Sequence, residues 1–240
     1  MSARRRSSFD FEPGTLLGNN FEVVERLGGG WEGEVYKVVE RGTRIVRAAK
    51  LFYPQRNSGD RALRYTARKL HKLRHCSILI HYHAAEPVLV DGDRITMLVS
   101  DFVEGELLSS FLRRFPGHRL RPFEALHLLH ALASGVEEIH LLGEYHGDLH
   151  SDNVIVSRFG LEFDLKLIDL YRRDGSPAKC RRYDLYDLVY VFWEALGGAS
   201  RYARHPAAVK YICCGLKRSL IRTKFPTVSH LRQHLEELDL

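Results

Sequence analysis

The chain has 240 residues, 45% hydrophobic and 28% charged, with a formal net charge of +6. That length holds one large domain or two small lobes, and the composition is globular rather than disordered. No stretch approaches the roughly 20 apolar residues that span a bilayer, and the positive charge is dispersed with no recognition motif, so neither a membrane nor a nucleic-acid partner is expected.

The first residues, Met1-Ser2-Ala3-Arg4-Arg5-Arg6, are basic with no apolar run behind them. A secretory signal is therefore not expected, and a solvated, disordered basic tail over 1–13 is. Cys76, Cys180, Cys213 and Cys214 form no Cys-x-x-Cys pair, and the adjacent Cys213 and Cys214 would close a strained ring if oxidised. A reduced, cytoplasmic setting follows.

Phe21 to Leu27 alternates as a strand, and Glu34 to Val39 reads as a second. Between them lies Gly28-Gly29-Gly30-Trp31-Glu32-Gly33, a Gly-x-Gly-x-x-Gly set between two strands. A dinucleotide site would need a helix after the glycines. Two readings remain: a plain glycine hairpin, or a loop whose missing side chains let backbone N–H groups approach phosphates. Val46 to Phe52 is a third strand carrying Lys50, read either as a solvent-facing lysine or as a phosphate ligand.

A helix is predicted over 59–74, with Asp60 as its N-cap and Leu63, Ala67, Leu70 and Leu73 on one face. No acidic residue occurs from Arg61 to Ala85. His71, His75, Cys76, His81 and His83 invite a zinc reading, but they straddle a helix end and a strand start without paired-knuckle spacing. Ordinary turn and surface histidines are the alternative. Ile95 to Val103 is a buried-type strand. Leu107 to Arg114 and Phe123 to Leu142 are predicted helices, the second with a core stripe of Leu126, Leu129, Ala133, Val136 and Ile139.

His146-Gly147-Asp148-Leu149-His150-Ser151-Asp152-Asn153 sets a carboxylate and a carboxamide five positions apart, ahead of the apolar run Val154 to Val156. Asp169 ends the next apolar run, Leu165 to Ile168. A carboxylate that accepts a hydroxyl proton, together with an amide and a carboxylate that hold magnesium, is the minimal kit for phosphoryl transfer from ATP. In loops these residue types also serve turns and caps. Asp184 to Gly198 reads as a buried helix, and 206–221 and 228–238 as two more, the last starting at Pro226-Thr227.

Glycine loop, strand lysine, Asp148/Asn153, Asp169 and the Asp184 helix occur in the order found in the protein-kinase-like superfamily. The chain resembles a small, atypical bacterial-type Ser/Thr protein kinase with features of aminoglycoside phosphotransferase-like kinases. The resemblance implies an α+β, two-lobed fold forming one kinase domain. Its N-lobe over 14–100 would be a five-stranded antiparallel sheet with one helix, and its C-lobe over 101–240 mainly helical. It implies ATP and Mg2+ as cofactors. Gly28, Gly29, Gly30, Gly33, Val35, Ala48 and Lys50 would hold the nucleotide, with Lys50 on its phosphates. Backbone groups of Asp101 and Val103 would meet adenine, and Ser100 would guard the back of that pocket. Asp148 would be the catalytic base, and Asn153 and Asp169 the metal ligands.

The chain departs from the family pattern in several places. Thr66 stands where the helix glutamate that pairs with the lysine belongs, so Lys50 needs another carboxylate (Asp169, Glu32 or Glu34) or the enzyme is impaired. Gly147 replaces the arginine that clasps an activation-loop phosphate, which predicts no switching by such a phosphate. His150 replaces a lysine, Asp169-Leu170-Tyr171 replaces Asp-Phe-Gly, and no Ala-Pro-Glu follows. Only fifteen positions separate Asp169 from Asp184, with Arg172, Arg173, Lys179, Arg181 and Arg182 among them. They form either a solvated face or an attractor for an anionic substrate. The expected function is an ATP- and Mg-dependent protein serine/threonine kinase with a shortened activation segment. The alternatives are an aminoglycoside- or choline-type small-molecule kinase, or a nucleotide-binding pseudokinase acting as an interaction module.

Overall fold

The computed structural model describes residues 5–160 and 162–238. The chain divides into two compact units, one running to Arg74 and resuming over Ile80–Val103, the other made of His75–Leu79 and the chain from Glu104 onward.

The first unit is built on an antiparallel sheet of β1 (Leu16–Leu17), β2 (Phe21–Gly29), β3 (Gly33–Glu40), β4 (Val46–Phe52), β5 (Tyr82–Val90) and β6 (Asp93–Asp101), in the order β1-β2-β3-β4-β6-β5. The sixth strand beyond the five expected is the two-residue β1, folded back onto Phe21 and Glu22. Side chains alternate between the faces of a strand. Tyr36 and Val38 of β3, Ala49 and Leu51 of β4, and Met97 and Val99 of β6 therefore share one buried apolar cluster. Val35, Ala48, Lys50 and Ser100 fall on the opposite face. A one-residue slip would drive Lys37, Lys50 and Ser100 into that cluster, so the core fixes the face on which Lys50 stands.

Residues 5–13 depart from the tail expected over 1–13, whose first four positions lie outside the described residues. Phe9 is 8% exposed, and its ring stacks on Tyr53 at 5.4 Å and on Phe11 at 5.7 Å. Arg6 pairs with Asp91 at 3.0 Å. Two aromatic side chains in a basic stretch gain more by covering the sheet than the segment loses in ordering, since burying one large apolar side chain contributes about 1.5–3 kcal/mol.

The helix of this unit, α1 (Arg61–Lys72), buries Leu63 and Leu70 as expected. Its start differs. Asp60 is left-handed at φ 55° and makes no cap bond; its carboxylate accepts from Asn57 Nδ2 at 3.0 Å and Thr96 Oγ1 at 3.1 Å. Asn57 Oδ1 accepts from Leu63 N at 3.2 Å instead, so Asn57 satisfies the free helix-end donor.

The second unit contains the three-stranded sheet β7 (Glu106–Leu107), β8 (Val154–Phe159) and β9 (Glu162–Leu167), and the helices α2 (Leu108–Arg113), α3 (Pro122–Leu141), α4 (Pro177–Ala195), α5 (Ala199–Tyr202), α6 (Ala207–Cys213), α7 (Arg218–Lys224) and α8 (Val228–Glu236). The predicted stripe of α3 is buried. The boundary between units is not the single cut at 100/101 expected from the sequence. Residues 75–79 belong here because Leu167 N donates to Ile78 O at 2.7 Å and Ser77 N to Glu138 Oε2 at 3.0 Å. Ile78 also packs so closely on Gly135 that a Cβ there would collide with it.

Helix α4 starts seven positions before Asp184, because Ser176 caps it by accepting from Lys179 N at 3.3 Å and Pro177 occupies its first turn. The single helix expected over 206–221 is broken into α6 and α7. Cys214, Gly215 and Leu216 all have positive φ, and a left-handed stretch cannot continue an α-helix. All four cysteines are buried and free. Among the described residues no helix is long and apolar enough to cross a membrane.

Candidate active site

In the first unit, the β2–β3 hairpin closes through Gly30 N to Gly33 O at 2.9 Å, and Tyr53 N donates to Glu32 O at 2.8 Å, tying its tip to the end of β4. The glycines differ in what requires them. A Cβ at Gly33 would collide with the Leu51 carbonyl, so strand packing alone demands that glycine. A Cβ at Gly29 would crowd the Arg26 and Glu34 side chains. At Gly28 and Gly30 a Cβ would meet no heavy atom within 4 Å, and neither residue has positive φ. Nothing in the unit's own packing requires glycine at those two positions, and their bare backbone leaves room for a phosphate to approach.

Val35 stands opposite Lys50 in the β3–β4 register, and Ala48 opposite Ser100 across β4–β6. The predicted nucleotide residues of these strands thus line one face. Lys50 Nζ lies 3.0 Å from Glu32 Oε2 and 5.1 Å from the centre of the Phe52 ring. Of the two carboxylates in and beside the glycine loop, it is Glu32 that pairs with the lysine. Glu34 points into the apolar cluster on the other face and is fully buried. There it accepts from Tyr36 Oη, from Tyr53 Oη at 3.2 Å and from Phe9 N at 3.2 Å, and it pairs with Arg26 at 3.1 Å. Burial, reinforced by that hydrogen bond to Glu34, pushes the Tyr36 hydroxyl up to about 12.

Asp101, expected to meet adenine through its backbone, ends β6. Its N–H is already donated to His81 O at 3.0 Å, which removes it as a donor to a base. Its carboxylate accepts from His81 Nδ1 at 2.9 Å, from His83 Nε2, and from Arg47 at 3.1 Å. Burial opposes the charge, but these donors hold the carboxyl below its usual range. Val103 lies two residues beyond the end of β6. His81 and His83, considered for zinc, serve Asp101 instead.

In the second unit the loop of residues 146–153 hangs from Asp184, which is fully buried. Its Oδ1 accepts from Gly147 N at 2.9 Å, and its Oδ2 from His146 N at 2.7 Å and from His140 Nε2 at 2.9 Å. His146 spans the loop and the strand end: Asp148 N donates to its Nδ1 at 3.2 Å, and its Nε2 lies 2.9 Å from Ile168 O. Neither ring had a role assigned from the sequence. For His140 no local signal exists, since its partner lies 44 residues away.

Asn153 Nδ2 donates to Asp148 O at 2.8 Å and more weakly to Asp148 Oδ2 at 3.4 Å. With the amide nitrogen spent on Asp148, the oxygen Oδ1 is the atom left to face a cation. Asn153 O accepts from Ile168 N at 3.1 Å, so pairing of the two chain segments places Asp169 one residue beyond. Asp169 is left-handed at φ 59°, a conformation that costs about 1–2 kcal/mol outside glycine and gathers at functional sites. A carboxylate and an amide oxygen are the hard donors that Mg2+ prefers, and the set fits that ion.

His150 Nε2 lies 3.5 Å from Asp148 Oδ2. That hydrogen bond, outweighing burial and aided by the charges of His150, His146 and Arg173, holds the Asp148 carboxyl below its ordinary range. The same bond raises His150. Asp148 is therefore ionised and able to accept a proton.

Gly147, where the family's arginine was expected, is at φ 97°, and a Cβ there would run into the Tyr171 carbonyl, whose own residue donates N–H to His146 O at 3.1 Å. Gly147→Arg is therefore expected to lower stability by roughly 3 kcal/mol, combining left-handed strain with a backbone clash. Chemical denaturation would read it; an unchanged midpoint would mean Tyr171 does not close over Gly147. The basic segment is only partly solvated. Arg173 pairs with Asp187 at 3.2 Å, Arg181 donates to Gly143 O at 2.9 Å, and burial lifts the Asp187 carboxyl to about 6 against the pull of Arg173.

An antiparallel sheet with one helix in one unit, and a mainly helical unit that carries Asp148, Asn153 and, beyond its strand hairpin, Asp169, are the parts of a protein kinase domain. The sequence profile described as "Protein kinase domain" matches residues 21–172, and the chain belongs to that family of phosphotransferases. It is 26% identical over 224 residues to the cell division control protein 2 homolog D of Antirrhinum majus, covering 90% of this chain and 70% of that protein. It is 33% identical over 160 residues to the serine/threonine-protein kinase pkn2 of Myxococcus xanthus, covering 64% of this chain and 18% of that one. The match also spans 22% of a probable cyclin-dependent kinase of Dictyostelium discoideum. In three dimensions it is similar to the PknI kinase domain of Mycobacterium tuberculosis, with a TM-score of 0.70 and 20% identity over 95% of this chain and 99% of that one. That last likeness bears on the fold.

Proposed function

We propose that the chain is an ATP- and Mg2+-dependent protein serine/threonine kinase that works with a shortened activation segment. The observation that carries the reading is Asn153: its nitrogen fixes Asp148 while its oxygen is left for a metal, beside the strand end that leads to Asp169. Asp148, ionised beside His150, orients the acceptor hydroxyl and takes its proton late in transfer. Asn153 and Asp169 hold magnesium. Lys50 and the backbone of Gly28 to Gly33 hold phosphate oxygens, and Val35, Ala48 and Val103 flank the base. Bound Mg2+·ATP supplies the phosphoryl group and compensates its charge; the protein contributes placement. The relatives' names support a serine or threonine acceptor, and the cytoplasm fits the free cysteines.

A second reading, transfer to a small-molecule alcohol, is favoured by the brevity of residues 170–176 between Asp169 and α4, which leaves little platform for a peptide. The test is transfer of labelled γ-phosphate, with and without Mg2+, to generic protein acceptors and to a panel of amino-alcohols and aminoglycosides. Label on protein serine or threonine is expected, and phosphatase treatment of the kinase beforehand should leave the rate unchanged. Label on the metabolites alone would replace the first reading with the second.

A further inference from the structure

In the kinase family, the resemblance places the carboxylate that steadies the strand lysine on the helix. Here α1 offers none: from Arg61 to Lys72 it has no Asp or Glu. We infer that Glu32, at the tip of the glycine hairpin, serves as a positioning carboxylate of Lys50 in place of one on the helix. The inference rests on the kinase reading.

Three observations support it. Glu32 Oε2 lies 3.0 Å from Lys50 Nζ, and both side chains are largely shielded, at 28% and 13% exposure. A charge-assisted bond with little solvent is held more firmly than one in water. The backbone of Glu32 is anchored, because its carbonyl accepts from Tyr53 N at 2.8 Å, one residue past β4, the strand that carries Lys50. The ammonium also leans over the Phe52 ring at 5.1 Å, so Phe52 and Glu32 together draw it along the sheet toward the glycine loop. Glu34 is excluded from the role by strand parity and by its buried partners on the other face.

The transfer changes what controls the lysine. When the carboxylate rides on a helix, moving the helix makes or breaks the pair. When it rides on the loop that covers the phosphates, lysine and loop are set by one hairpin. An ammonium has three donors, so Glu32 can keep one while phosphate oxygens take the others. The gap at Thr66, which favoured a pseudokinase, is thereby filled from another element.

The test uses the full chain and Glu32→Gln, which keeps size and removes charge. In Mg2+·ATP turnover the variant should lose about tenfold in kcat, more than it changes KM for ATP, with its thermal midpoint within about 2 °C of the parent, since glutamine keeps the size and a hydrogen-bonding oxygen. Independently of turnover, acylation of the Lys50 amine by an activated ester, followed by peptide mass spectrometry, should run several-fold faster in the variant, since the charge-assisted bond from Glu32 is lost. Parental kcat together with a parental acylation rate would overturn the inference. A parent chain that turns over no ATP would sink the kinase reading while the acylation comparison still decides the Lys50–Glu32 pair.

Discussion

Asp169→Ala is expected to abolish magnesium-dependent ATP turnover, with a fall of roughly 10³-fold or more in kcat. The carboxylate is the only charged donor of the proposed metal pair, its partner being the neutral amide of Asn153. Removing it leaves the protein one neutral oxygen and no charge to offer the cation, and an ion that dehydrates reluctantly is held poorly by an amide alone. The fold should not suffer. Asp169 sits in a left-handed conformation, which alanine tolerates only a little less well than aspartate, and it is half-buried. Stability should therefore change by no more than about 1 kcal/mol. The measurement is initial-rate turnover against Mg2+ concentration beside a thermal melt. An unchanged rate would reject Asp169 as a ligand, whereas a lost rate with a collapsed melt would show that the residue supports the fold rather than the metal.

How much of this was legible in the sequence depends on the range of the interaction. The resemblance named Val35, Ala48 and Lys50, and strand alternation gives them a common face, because period two is a local property and the buried partners Tyr36, Val38 and Ala49 fix it. The same rule already excludes Glu34, which shares parity with Tyr36 and so cannot share the face of Lys50, opposite Val35; Glu32 precedes β3 and escapes the rule. Leaving both open missed a signal that was present. The start of α4 was also there to be read in Ser176-Pro177, a cap followed by a first-turn proline. The docking of Phe9 and Phe11 was not, since a triple-arginine start dominates any local reading and the covering surface comes from β3 and the residue after β4. Nor was the closure of Tyr171 over Gly147. The sequence shows an arginine missing, and only the three-dimensional path of the chain shows that no side chain fits there.

The two units carry different kinds of polar support. In the first, Glu34 gathers Arg26, two tyrosines and a backbone N–H from residue 9, which ties the N-terminal segment to the strand next to the glycine hairpin. In the second, one carboxylate holds the catalytic loop by its backbone. Both are buried acids whose partners are complete, the condition under which a buried charge is tolerated at all. Their failure should differ accordingly, since one braces a surface that the nucleotide would meet and the other the base itself.

Asp184→Ala should be the most destabilising single substitution in the second unit outside its apolar core. Alanine would leave His146 N, Gly147 N and His140 Nε2 without their acceptor inside a fully buried site. Breaking a buried charged network by removing one partner costs about 3–5 kcal/mol. At about 2–4 °C per kcal/mol for a domain of this size, the melting midpoint should fall by on the order of 10 °C. Activity measured below that midpoint should fall as well, because the backbone immediately before Asp148 loses its two fixed bonds, and a misplacement of the base by about 1 Å can cost 10²-fold. Asp184→Asn separates the two effects: its Oδ1 can still accept from one backbone N–H, so it should recover part of the stability and less of the rate. Asp174→Ala, on the exposed segment before α4, is the control and should stay within about 0.5 kcal/mol of the parent. If Asp184→Ala melts with that control, the catalytic loop is held by something other than the helix beneath it.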